Sequence, residues 1–276
     1  MLAFIHINKT AGSTVRYILR SSYGPHHCEI GSFRESEAPF SGAELKRIYR
    51  LDPKLRSIAG HRVTGYGDLE DAGVDIDYFT FIREPLKMCA SRFQYHVDYR
   101  KKTGIVFEEW IRRERLRNAQ TKRICGSDDV KEAIRIIEQK QVFVGLTERF
   151  DESMVMLKAL RAPDLDIGYQ RVNTASRNTL AEELLSEDRS RRLLIEANES
   201  DLAMYEYAAT VAYPRLKEGC GPRLDQMVND FKSSQPSQFN RLNMALFRLK
   251  QHGFYRPMMG LYRGERTRRI AERLLG

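Results

Sequence analysis

Leu2–Leu19 reads LAFIHINKTAGSTVRYIL, and its reading decides the fold. Leu2–Ile7 is a short apolar run rich in strand formers. Asn8–Ser13, NKTAGS, is small and polar with one glycine, and from Thr14 a helical pattern starts, with Val15, Ile18 and Leu19 at i, i+3, i+4. A strand, a tight loop and a helix N-terminus make an anion site, because first-turn N–H groups and the helix dipole both favour negative charge. Lys9 adds a full positive charge, Thr10, Ser13 and Thr14 add hydroxyl donors, and Gly12 lets backbone approach a ligand. The loop is not a Walker A motif, which carries its lysine late and after two glycines. The plain alternative is an ordinary strand–helix connection with a surface lysine.

Working outward, Ser57–Val63 (SIAGHRV), Asp77–Arg83 (DYFTFIR) and Val142–Leu146 (VFVGL) also read as strands. Helical patterns alternate with them. Ser41 caps one at Ser41–Arg50. Pro85 opens another, with Leu86, Cys89, Ala90, Phe93 and Val97 on one face. Phe107–Arg117 holds the sole Trp, and Ser127 or Asp128 caps a fourth. Met154–Leu160 and most of Leu180–Ala209 are helical, Tyr23–Phe40 is a loop or lid, and Gly168–Thr179 is a polar loop. This alternation indicates an α/β fold, a P-loop-like parallel sheet flanked by helices. The character changes after Gly219, which divides the chain into an α/β domain, 1–219, and a basic helical C-terminal extension, 220–276.

The chain has 276 residues and a net charge of +9. From Arg241 onward nine Lys or Arg against two Glu give +7, so the remainder carries only +2. A second cluster, Arg100–Arg123, has nine basic residues against Glu108, Glu109 and Glu114. Four widely spaced cysteines suggest neither a zinc site nor a disulfide scaffold, and no metal is expected. No run is long enough to span a membrane and the N-terminus lacks a leader pattern, so the expectation is a bacterial-type cytoplasmic protein.

IHINKTAGST resembles the 5′-phosphosulfate loop of the carbohydrate sulfotransferases, with Asn8 where that group usually has Pro. FIREPLKMCASRF resembles their 3′-phosphate motif, which implies Arg83 at a strand end and Ser91 on the next helix as ligands. NAQTKRICG (Asn118–Gly126), VGLTERFDESMVML and VNTASRNT are similar to further family segments, and the similarity covers roughly Leu2–Ala209. The resemblance implies 3′-phosphoadenosine-5′-phosphosulfate (PAPS) as sulfuryl donor and a carbohydrate or glycoconjugate acceptor, with no nucleic acid partner. It places Lys9, Thr10, Ala11, Gly12, Ser13 and Thr14 on the phosphosulfate, and Asn173, Thr174, Ser176 and Arg177 on the nucleotide. His61, a Gly-His at a strand end, stands where the 2-O-sulfotransferases hold their base, and a histidine suits proton transfer near neutrality. His27, His96, Glu29, Glu35 and Glu37 are the reserves, and a core or surface histidine is the plain alternative. Arg112, Arg113, Arg115 and Arg117, with Lys101 and Lys102, fit a cleft for an acidic acceptor. The tail residues Leu242, Leu246, Leu249 and Phe254 sit near helical spacing, as in a stripe that packs on its own domain or on a second subunit. Two other readings stay open: a P-loop-like nucleotide kinase, and a non-catalytic binder of anionic polymers.

Overall fold

A computed structural model of the chain describes residues 1–31, 38–100, 104–169, 179–234 and 240–260. Strands β1 (Leu2–Ile5), β2 (His27–Glu29), β3 (Ser57–Gly60), β4 (Asp77–Ile82) and β5 (Phe143–Leu146) form one all-parallel sheet in the order β2-β3-β1-β4-β5. Every residue of β1, β3 and β5 is buried, as a sheet covered by helices on both faces demands. The architecture is α/β and P-loop-like. Its first helix, α1 (Gly12–Tyr23), buries Val15, Ile18 and Leu19, the face foreseen from spacing.

The topology creates the crevice. From β1 the chain crosses to β2 on the far side of β3, and from β4 it passes to β5 on the opposite edge. Connections therefore leave the middle of the sheet in opposite directions, and ligands of open parallel sheets bind at the carboxyl ends there. Ile5 pairs with Gly60 on one side and Thr80 on the other, so β1, β3 and β4 end nearly level.

Helix α2 (Gly42–Leu51) starts on a capping box: Glu44 N donates to Ser41 Oγ at 3.2 Å and Ser41 N to Glu44 Oε2 at 3.0 Å. Between β4 and β5 lie α3 (Pro85–Arg100), α4 (Phe107–Ile111), α5 (Ala119–Cys125) and α6 (Val130–Gln139). Then come α7 (Phe150–Leu160), α8 (Thr179–Ser186), α9 (Asp188–Ala197), α10 (Glu199–Tyr207), α11 (Tyr213–Cys220), α12 (Leu224–Ser233) and α13 (Arg241–Lys250). A satellite core of Phe93, Phe107, Trp110 and Leu194 joins α3, α4 and α9.

Three expectations need correction. Tyr23–Phe40 is not loop throughout, because His27–Glu29 forms the edge strand β2; three residues are too short to show an alternating pattern. Phe107–Arg117 is a one-turn helix followed by a separate 3-10 turn, Glu114–Leu116. Helix α6 is capped by Asp129, whose carboxylate accepts from Lys131 N and Glu132 N, and not by Ser127 or Asp128.

The described part of the C-terminal extension lies on the same core as the sheet, through Leu224, Val228, Tyr255 and Met259. Helix α13 packs with Met244 and Phe247, and the sequence continues helical through Gln251 and Tyr255, both buried. The stripe read from spacing alone faces the other way: Leu242, Leu246 and Leu249 are exposed, and of that set only Phe254 packs against the core. Two stripes of one helix satisfy the same period, and only the surface it packs on, here the C-terminal end of α1 and the turn after it, decides which is buried.

Candidate functional site

The loop between β1 and α1 is strained. Lys9 has φ 67 and Ala11 φ 63, left-handed values that cost a residue with a Cβ roughly 1–2 kcal/mol each. Such strain persists where surrounding structure enforces it. Thr10 is fully buried and its Oγ1 donates to Ile7 O at 3.0 Å, which pins the loop on the strand end. That hydroxyl is thereby committed, so Thr10 would meet an anion with its backbone N–H. Ala11 occupies the N-cap of α1 without a side-chain bond, and the first turn holds no acidic residue. The N-terminus thus keeps its positive end uncapped and unneutralised.

Gly12 is required for a reason the sequence did not show. A Cβ there would lie 2.1 Å from His6 Nε2, so the glycine admits an internal histidine against the helix start. His6 follows β1 directly and its ring stacks on His61, centroids 4.3 Å apart. His61 in turn directly follows β3. Gly60, just before it, approaches Ile30 so closely that a Cβ would sit 1.8 Å from the Ile30 carbonyl oxygen. Arg123 on α5 donates to His61 O. Burial, then the charges of Arg123 and Arg16, hold the His61 imidazole at about 4. Burial also holds His6 well below the usual histidine value, with His61 next. Neither Nδ1 atom finds a partner among the described residues.

Arg83 follows β4 immediately and faces the same crevice. Its Nη1 donates to Lys9 O at 3.3 Å, which joins the two stretches that the sequence singled out separately. Gln120 clamps the Arg83 backbone on both sides: Arg83 N donates to Oε1 and Nε2 donates to Arg83 O, each at 2.9 Å. Gln120 is itself fixed by the fully buried Asp201, which accepts from Gln120 N at 3.1 Å and Thr121 N at 2.7 Å. A chain of contacts therefore runs from Asp201 through Gln120 and Arg83 to Lys9. Glu84 caps α3, accepting from Lys87 N at 2.8 Å.

The Lys9 ammonium lies over the Tyr95 ring, 4.7 Å from its centroid. Burial, then the charge of Arg83, lowers the Lys9 value. Burial likewise lowers Arg83, against the opposing pull of Glu148 and Glu84. Ser91 stands four residues before Tyr95 on α3, so the two share a helix face. The cationic groups are partly desolvated, which strengthens their pull on an anion.

The reserves fall elsewhere. His27 lies in β2, paired with Ser57 at the amino end of the sheet, its Nδ1 2.8 Å from Ser57 Oγ. His96 donates from Nδ1 to Arg92 O at 2.9 Å and meets the Trp110 ring edge-on. Glu29 is gripped by Arg16 and Arg20; burial alone would raise its carboxyl, but those guanidinia, Arg16 first, hold it at about 2. Glu35, Glu37, Lys101 and Lys102 lie outside the described residues, as do Asn173, Thr174, Ser176 and Arg177. Arg112 and Arg113 are exposed, Arg117 bonds Glu196, and the Arg115 side chain is not described. Among the described residues no group of three or more His, Cys, Asp or Glu is placed to hold a metal ion, and no helix is long and apolar enough to cross a membrane.

No protein-family model matches the chain, and no curated protein matches it significantly. Sequence reasoning had not singled out Tyr95, Gln120, Arg123 and Asp201 for the site. Gln120 and Arg123 lie in the NAQTKRICG segment that drew notice as a unit, and that was the available signal.

Proposed function

We propose that the chain is a PAPS-dependent sulfotransferase acting on a carbohydrate hydroxyl. The observation that carries the reading is the bond from Arg83 Nη1 to Lys9 O. It makes one cationic crevice from an uncapped helix N-terminus, a strained lysine loop and a strand-end arginine. A nucleotide with separate 5′ and 3′ anionic groups needs two such centres side by side. The residues present fit it: Lys9 and the α1 N–H groups would hold the 5′-phosphosulfate, and Arg83 with Ser91 the 3′-phosphate.

When bound, PAPS supplies the sulfuryl group. His61 takes the proton of the acceptor hydroxyl as that oxygen bonds to sulfur, and the bond from sulfur to the bridging phosphate oxygen breaks. Lys9 and the first-turn N–H groups stabilise the charge gathering on that oxygen. Burial holds His61 near 4, so the ring is neutral in the physiological range and keeps a lone pair, but it is a weak base, and the charge stabilised on the departing oxygen must supply the driving force for the transfer. His6 and the Arg123 contact fix the ring's place.

The test is incubation with labelled PAPS and a panel of acceptor sugars, beside calorimetry with 3′,5′-adenosine bisphosphate and 5′-AMP. The bisphosphate is expected to bind at least about tenfold tighter, and Arg83→Ala to erase most of that margin. Equal affinities in the wild type, with no label transferred, would overturn the reading.

A further inference from the structure

We propose that the outward face of α13 is a docking surface for an anionic lipid membrane. This rests on the tail alone and is independent of the proposed reaction.

Leu242, Leu246 and Leu249 fall at i, i+4 and i+7 on one face of α13 and are 67%, 37% and 73% exposed. The opposite face, Met244 and Phe247, already packs the helix on its own domain, so the leucines are surplus to folding. The three leucines make one apolar strip along the helix, the kind of contiguous exposed patch that marks an interaction site.

Charge selects the occupant. Arg241–Lys250 contains Arg241, Arg248 and Lys250 and no acidic residue. Arg241 and Arg248 are exposed beside the leucine strip. The acidic groups that α13 and its continuation meet are already matched, Asp52 by Lys250 and Tyr255 and Glu29 by Arg16 and Arg20. A second copy seated on this face would bring like charges together with nothing to offset them. A soluble polyanion would satisfy the arginines but leave the leucines in water. An anionic bilayer surface satisfies both, taking the leucines at the headgroup boundary while the arginines meet lipid phosphates.

The experiment is flotation of the full chain with vesicles of phosphatidylcholine alone and with phosphatidylglycerol added, at low and high salt, next to binding of heparin as a soluble polyanion. Wild type is expected to float with the anionic vesicles and to release as salt rises. The double variant Leu242→Ser, Leu249→Ser should lose at least about tenfold in partitioning. Arg241→Ser and Arg248→Ser should each lose about fivefold. All four side chains are exposed, so circular dichroism should show the variants folded. Equal binding to neutral and anionic vesicles, or leucine variants that float like wild type, would overturn the proposal. So would a leucine-dependent rise in mass with concentration and no flotation, which would make the face a self-association surface. Heparin binding that matches or exceeds vesicle binding and ignores the leucines would overturn it in favour of a soluble polyanion.

Discussion

The two ends of α1 are built on opposite terms. At its N-terminus two residues with side chains sit in left-handed backbone, Lys9 is held below its usual value, and the stacked His6 and His61 each keep an unpartnered Nδ1. At its C-terminus the polar groups are matched by α13 and its continuation. Asn243 Nδ2 donates to Ser21 O at 2.7 Å and Ser22 O at 3.1 Å, and Asn240 N donates to Ser21 Oγ at 2.9 Å. Gln251 then completes the exposed edge of β2, accepting from Glu29 N and donating to Glu29 O, both at 2.9 Å. A strand edge left open is a template for aggregation, and one glutamine side chain closes this one. The contrast teaches that strain and unmet polar atoms are gathered at one end of a helix whose other end is tied down. A loop can be held in a costly conformation only if the elements around it cannot relax.

The comparison breaks most visibly if the tie is removed. Truncation after Pro222 deletes the buried Leu224, Phe247 and Tyr255 and reopens β2, a loss of at least about 5 kcal/mol from apolar burial alone. Domains of this size commonly hold about 5–15 kcal/mol, so the truncated chain should show no cooperative unfolding transition in urea. A normal midpoint would mean that the tail is an ornament and the two ends of α1 are independent.

The next largest effect lies at the strained end. Lys9→Ala should lower turnover about a thousandfold, the scale of one removed charge-stabilising donor. The melting temperature should hold, because the variant removes a partly desolvated ammonium along with its contact on Tyr95. Loss of fold in parallel with activity would make Lys9 a structural residue.

How much of this was legible can be argued from particular residues. The strand–loop–helix around Lys9 was legible because an apolar run of strand formers gives way, through a small polar loop, to a 3.6-residue period within eighteen residues. Arg83 was legible through the strand-to-proline boundary behind it. Gln120 and Asp201 were not, since their role rests on pairing across more than eighty residues of chain, 120 to 201, and no local pattern encodes that. Gly12 was noticed for the approach of backbone to a ligand, but that its missing side chain also makes room for His6 was not legible, because no local pattern places that ring against the helix start. Edge strand β2 was missed because it is short and because Gln251, far along the chain, supplies its outer hydrogen bonds. The helix of the tail was visible, but which of its two stripes was buried was not.

Two histidines sharpen the comparison further. Burial lowers both, His61 to about 4 and His27 to about 3. An unfolded histidine titrates near 6.5, so the unfolded chain takes up protons first. Stability is therefore intact above about 6.5 and falls as the pH drops through the window down to 4 or 3. His27 alone contributes on the order of 4 kcal/mol to that loss at the acid end. The double variant His27→Leu, Ser57→Ala should flatten the acid limb of urea stability and leave turnover near normal. His61→Ala should abolish turnover and keep bisphosphate affinity. The acid limb of wild-type turnover should fall well below 6.5, towards 4. An acid limb at the ordinary histidine value would show that the ring is solvated in the working enzyme.

The smallest effect concerns what lies beyond the crevice. Arg112 and Arg113 directly follow α4, which the satellite core fixes through Phe107 and Trp110 against α3, the helix that carries Ser91 and Tyr95. Both arginines are exposed, whereas Lys122 nearby is already held by Glu114 at 2.5 Å and Asp128 at 3.1 Å. Exposed charges on a rigid support act on an incoming anion through a screened field, worth about 1 kcal/mol each at most. The double variant Arg112→Ser, Arg113→Ser should lower kcat/KM for an acidic acceptor several-fold at low salt and leave a neutral acceptor unchanged. High salt should erase the difference between variant and wild type. A loss that is equal for both acceptors, or that persists at high salt, would place these arginines in the fold rather than at the acceptor.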